Sequence, residues 1–167
     1  MALPVPVRTS DHVRLASWDD PAFDLEATGS EAVTEYIKSD RPNLESLAVL
    51  DGEAPTVFVL RALSERELAN AEGLATKVVE TDEKDDDGKP KLTSMILGYE
   101  RAYHILRWSL QDIENWGEWK AERVRECSAY VLSMACVESI PRTTAIWLAG
   151  KVRAWSKLTE EKKTVST

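Results

Sequence analysis

Residues 96–113, ILGYERAYHILRWSLQDI, decide how the fold is read. Ile96, Tyr99, Tyr103, Leu106, Leu110 and Ile113 are spaced 3, 4, 3, 4 and 3, the interval that returns side chains to one face of an α-helix. Trp116-Gly117 marks the end of this segment or a kink. Downstream, Val124, Cys127, Val131 and Met134 repeat the spacing 3, 4, 3. Pro141 interrupts, and Ala145, Leu148, Val152 and Trp155 repeat it once more. Three amphipathic segments with short joints predict an antiparallel helical bundle over 91–160, followed by a polar tail at 161–167.

Working back from that seam, residues 81–90 (TDEKDDDGKP) are charged and contain Gly88 and Pro90, which predicts a solvated acidic loop. The segment before it has a strong helix start. Ser64 and Glu67 have the spacing of a capping box, and Leu63 and Leu68 that of a hydrophobic staple, so a helix is expected through Leu68, Ala71, Leu74, Ala75 and Val78. Ahead of it, Thr56-Val57-Phe58-Val59-Leu60 is apolar on both faces and predicts a strand covered on both sides. Asp51-Gly52 is a turn dipeptide. Thr28 and Glu31 form a second capping-box pattern, opening a helix with Val33, Tyr36 and Ile37 on its apolar face and Arg41-Pro42 at its end. Val13 and Leu15 alternate with Arg14 and Ala16 as in a short strand, which Asp19-Asp20-Pro21 breaks. Pro4 and Pro6 favour an extended arm, either a loose end or a strap on a neighbouring subunit.

The fold expected is mainly α with a small β element (α+β): an extended arm at 1–10, an acidic α+β portion at 11–80, the loop, the bundle and the tail, all in one compact domain. The 167 residues carry 21 basic and 29 acidic side chains, a net charge of −8. Charge is split along the chain: residues 1–90 sum to −11 and residues 91–167 to +3. Such asymmetry accompanies charge-complementary assembly, between subunits or with a partner, and also arises from ordinary surface variation. No apolar run approaches the roughly 20 residues of a membrane span. No basic start followed by an apolar core suggests secretion. Cys127 and Cys136 are too few for a disulfide scaffold. Their helical spacing of nine residues precludes pairing within one helix and puts Cys127 in the apolar seam as a small core residue.

Catalytic and ligand-binding motifs are scarce. Placing Gly88 at the sixth position of a calcium loop leaves Ser94 where a bidentate carboxylate is needed. Glu100 and His104 lie four apart on one helix face, the arrangement of an acid/base pair or half a metal site, but no third ligand follows from the sequence, and a structural histidine is the simpler reading. There is no phosphate-cradling glycine loop and no Gly-x-Ser-x-Gly elbow. The expectation is therefore no enzyme, no cofactor, no metal and no small-molecule substrate. Arg101, Arg107, Lys120, Arg123 and Arg125 alternate with Asp112, Glu114, Glu118, Glu122 and Glu126, which argues for a salt-bridged face and against direct nucleic-acid binding. Tryptophan and arginine are the residue types most enriched at protein–protein hot spots. The candidate contact residues are accordingly Trp18, Trp108, Trp116, Trp119 and Arg107, with Pro4 and Pro6 of the arm.

Glu53–Glu67 (EAPTVFVLRALSERE) resembles the strand-to-helix passage of small morphogenesis proteins encoded among the structural genes of tailed bacteriophages, in which a Phe-x-Leu-Arg-x-Leu-Ser/Thr strand runs into a capped helix. Ile140–Thr164 (IPRTTAIWLAGKVRAWSKLTEEKKT) resembles their common ending, a helix closed by a Leu-Ser/Thr-Glu-Glu segment. Together the two stretches cover about a quarter of the chain. The resemblance implies a non-enzymatic virion or assembly role near the head–tail junction or in the tail. It further implies partners that are other virion proteins or copies of the chain, and a location in the virion or in the host cytoplasm during assembly. The class-independent alternative is an intracellular adaptor or regulator that binds a host protein through its acidic N-terminal face.

Overall fold

Val57–Leu60 (β2) is the middle strand of an antiparallel sheet, and only one of its faces is fully covered. Phe58 and Leu60 enter the core, whereas Val59 on the other face is half-buried between the exposed Arg14 and Asp112. Strand β2 lies between Val13–Leu15 (β1) and Leu110–Glu114 (β5), with Leu15 opposite Phe58, Phe58 opposite Ile113, and Leu60 opposite Leu110. The computed structural model describes residues 7–96 and 98–165, and the side chains of these except Ile96 and 157–165.

Helices cover the sheet. Glu65–Ala75 (α3), Gly98–Ser109 (α4), Met134–Glu138 (α5) and Arg142–Val165 (α6) follow in chain order, and α4 packs against the other three. Leu68 and Ala71 of α3, Ile105 and Leu106 of α4, and Leu148, Val152 and Trp155 of α6 meet Leu15, Leu60 and Leu110 of the sheet in one core. Burying a side chain of this size stabilises the fold by roughly 1.5–3 kcal/mol. The start of α3 is as read from the sequence: the Glu67 amide donates to Ser64 Oγ at 3.2 Å, and the Ser64 amide donates to Glu67 Oε1 at 3.0 Å. Burial pushes the Glu67 carboxyl up, but the Arg61 guanidinium and the Ser64 donors outweigh it and hold the group below its ordinary range.

Leu25–Thr28 (α1) and Ser30–Lys38 (α2) precede a smaller cluster, in which Tyr36 of α2 is buried together with Ala16, Phe23 and Leu47. The Tyr36 hydroxyl accepts from the Ala16 amide at 3.0 Å and donates to the Ala16 carbonyl at 2.7 Å. Carbonyls at the end of α2 have no partner within the helix. Side chains of α6 supply donors: Trp147 Nε1 at 3.1 Å and Lys151 Nζ at 2.7 Å reach Ile37 O, and Trp155 Nε1 reaches Asp40 O. The two clusters are thereby tied together.

The mixed α+β class holds, with six helices and small antiparallel sheets among the described residues. Several local expectations are corrected. The Thr28–Glu31 capping box does not form: Asp24 caps α1, Thr28 Oγ1 donates to the Asp24 carbonyl, and α2 begins after Gly29. Helix α3 stops at Ala75, and Val78 belongs instead to a strand, Thr76–Lys84 (β3), which pairs with Pro90–Ile96 (β4). Most of the expected acidic loop is thus the outer end of a β-ribbon, closed by a turn in which Asp85 Oδ1 accepts from the Asp87 and Lys89 amides.

The bundle is interrupted as well. The seam from Tyr99 leaves the helix at Ser109 and continues in β5, where a one-residue irregularity opposite Val59/Leu60 lets Leu110 and Ile113 both face the core. The second predicted helix is a hairpin of Arg123–Glu126 (β6) and Ala129–Leu132 (β7). Its turn residues Cys127 and Ser128 both have positive φ, 52° and 62°. Cys127 is exposed there rather than in the core; Cys136 is buried, and both are free thiols. Residues 161–165, read as tail, continue α6. Pro4 and Pro6 lie outside the described residues, while Val7 is buried in the core, so the expected arm is anchored at its inner end.

Candidate interaction surface

Two hairpins stand out from the packed body. The β3–β4 ribbon has no covering layer on the residues described: its side chains are exposed or half-buried along the length of β3. Backbone pairing puts Val78 opposite Ser94 and Glu80 opposite Leu92, so Val78 and Leu92 share one face. They are 68% and 67% exposed, and Met95 on the other face is 47% exposed. A two-stranded ribbon by itself is marginal in water. This one is rooted in the body by continuity with α3 and by Lys77 Nζ, which reaches Glu100 at 2.9 Å. Towards the tip, Glu80–Asp87 contains six carboxylates and one lysine.

The β6–β7 hairpin is held more firmly. Arg107, only 6% exposed, donates from Nε to Leu132 O at 2.7 Å and from Nη2 to Glu126 Oε2, clamping both strands to α4. Arg123 and Arg125 remain exposed, Arg125 opposite Tyr130, which is 71% exposed, and Arg123 opposite Leu132, where the hairpin enters the core.

The sequence-nominated contact residues divide. Trp18 is 36% exposed and does not line the nearby cleft of about 420 Å³, which is formed by Asp19, Asp20, Phe58, Asn115 and Trp116 among others. Trp116 is half-buried and packs edge-on to Phe58, with centroids 6.2 Å apart. Trp119 is half-buried and spends its indole N–H on Cys136 O at 3.0 Å. Trp108 and Arg107 are buried and so are core and clamp residues, not contacts. The Trp108 indole N–H and the Ser109 hydroxyl find no hydrogen-bond partner among the described residues. Asp20 serves the fold: its carboxylate accepts from the Ala22 and Thr56 amides at 2.9 and 3.0 Å.

Glu100 and His104 line a common cleft without acting as a pair. Glu100 takes Lys77, while His104 Nδ1 lies 3.3 Å from Arg107 Nη1. Burial first, and the Arg107 charge second, hold the His104 imidazole below its ordinary range. Among the described residues no group of three or more His, Cys, Asp or Glu is placed to hold a metal ion. None of the described helices is long and apolar enough to cross a membrane.

Sequence reasoning missed the most exposed apolar side chains, Val78, Leu92 and Tyr130. The available signal was β-branching: Thr76, Val78, Val79 and Thr81 are strand formers that the helical spacing from Leu74 obscured. No known protein family, curated protein or solved structure matches this chain.

Proposed function

We propose that the chain is a non-enzymatic structural or assembly protein of a tailed bacteriophage, working near the head–tail junction or in the tail. It acts through contacts with other virion proteins or copies of itself, in the virion or in the host cytoplasm during assembly. The observation that carries this reading is the β3–β4 ribbon, a folded element that adds little to the core and displays Val78, Leu92 and Met95 to solvent. Apolar side chains kept exposed on a regular element are what a protein-contact surface requires. The resemblance of Glu53–Glu67 to phage morphogenesis proteins supports the same reading, and the capped strand-to-helix passage it rests on is formed.

A second reading, an adaptor that binds a host protein through the acidic N-terminal face, draws on the cleft where Asp19 and Asp20 border the aromatic wall of Phe58 and Trp116. Fractionation separates the two. A phage-producing culture is resolved on a gradient and probed with an antibody to the full chain. Recovery with particles, or with incomplete heads or tails, is expected. Recovery only in a discrete complex with one cellular protein would reject the virion role and favour the adaptor.

A further inference from the structure

We infer that the chain associates with itself by docking the β3–β4 ribbon of one copy on the β6–β7 hairpin of a second copy. The inference rests on the assembly reading above and names the partner surface. Both elements are exposed within one chain, so neither covers the other. Their displayed faces are complementary. The ribbon offers Val78 and Leu92 with Glu80 on the same face, and Asp82 beyond it. The hairpin offers Tyr130 with Arg125 directly opposite near its turn, and the exposed Arg123 two residues along the strand, where its neighbour Leu132 enters the core. Among the described residues, Glu80, Asp82, Arg123 and Arg125 are all exposed and none is in an ion pair.

Bringing these faces together covers the apolar side chains that one chain leaves in water and sets two carboxylates against two guanidiniums. Opposite charges at such a rim choose the partner and speed encounter more than they add affinity. Because the two surfaces are different patches of one molecule, the contact either closes as a reciprocal dimer or runs head to tail into a ring or filament. The positions of the hairpins differ in one useful respect. The receiving hairpin is fixed to α4 by Arg107, whereas the ribbon is rooted only at its base. One side of the contact is therefore a rigid seat and the other a projecting arm.

Mass measured by light scattering on the full chain tests this, with a monomer at 18.7 kDa as the reference. The wild-type chain is expected to give a multiple of that mass at about 100 μM. Arg123→Glu with Arg125→Glu, and separately Glu80→Lys with Asp82→Lys, should each weaken association at least tenfold while keeping the wild-type unfolding temperature. The four substitutions combined should restore association. Val78→Ser with Leu92→Ser, which leaves the charges in place, should also dissociate the assembly. Assembly unchanged by either charge reversal, or a fourfold variant no better than the doubles, would overturn this docking while leaving self-assembly through another surface. A wild-type chain that stays monomeric would overturn it too, leaving contacts with other virion proteins, which the fractionation experiment reads independently.

Discussion

The body and the ribbon are built from the same backbone hydrogen bonds but differ in what their side chains do. In the sheet β1-β2-β5 the cross-strand pairs of one face end in a core: Leu15, Phe58, Leu60 and Leu110 are all buried beneath α3, α4 and α6. In β3–β4 the register is equally regular over Thr76–Glu80, yet Val78 and Leu92 stay in water. Regular pairing fixes shape in both regions; burial supplies stability in only one. The ribbon is thus free to be used for contact, because little of the fold depends on its side chains.

The largest effect should come from the body. Leu106→Ala removes a fully buried side chain where α4 meets the core and should cost about 2–5 kcal/mol, read from urea unfolding of the two chains. A loss under 1 kcal/mol would mean the body is packed as loosely as the ribbon, and the contrast would collapse.

Tyr36→Phe tests how firmly the smaller cluster belongs to the body. It leaves the Ala16 amide and carbonyl without their buried partner, and about 1–3 kcal/mol should be lost. The same residue gives a pH signature. Burial raises the Tyr36 phenol to about 12, against 10 when unfolded. The folded state therefore holds its proton more tightly, and that stability is full below pH 10 and lost as pH rises from 10 to 12. A shift of two units corresponds to about 3 kcal/mol at most. Unfolding measured at pH 9 and pH 11.5 should show a steeper decline in wild type than in Tyr36→Phe, and equal slopes would show that the hydroxyl is open to water.

The β6–β7 hairpin sits between the two extremes, and its turn offers a gain instead of a loss. Cys127 and Ser128 occupy the left-handed region that a two-residue hairpin turn needs and that Asn-Gly fills with least strain. Cys127→Asn with Ser128→Gly should raise stability by about 1 kcal/mol, visible as a higher melting temperature. The smallest change is expected in the ribbon. Leu92→Ala should alter monomer unfolding by less than about 0.5 kcal/mol, measured at a dilution where association is absent. A cost like that of Leu106→Ala would show that the ribbon is part of the core after all.

What was legible in the sequence follows from how local the signal is. The Ser64–Glu67 box, the turn at Asp51-Gly52 and the strand β2 depend on neighbours a few residues apart and are as read, although β2 is fully covered on one face only, Val59 lying half-buried on the other. The errors come from periods shared by two structures. Val124 and Val131 are seven apart, which is two helical turns; seven is also the separation of cross-strand partners flanking a two-residue turn centred on 127–128. Cys-Ser carries none of the usual turn chemistry, so nothing local broke the tie. Leu110 and Ile113 are three apart, a helical interval that an irregular strand reproduces. The clamp was hidden for another reason. Arg107 looks like a surface charge until tertiary structure brings Glu126 and Leu132 O to it from 19 and 25 residues away. The site residues suffered most, since composition nominates tryptophans without distinguishing a buried Trp108 from a half-open Trp116.

Helix α3 passes into β3 with no residue between Ala75 and Thr76, so the ribbon starts at a fixed point and ends in a turn that touches nothing in the core. Such an element is a ruler. Adding one residue to each strand next to the turn lengthens its reach by about 3.4 Å and turns the newly built end over relative to the base. Adding two to each strand lengthens it by about 7 Å and preserves the facing. The distance spanned by this protein can therefore be reset at the tip, in steps of two, without altering a single buried side chain.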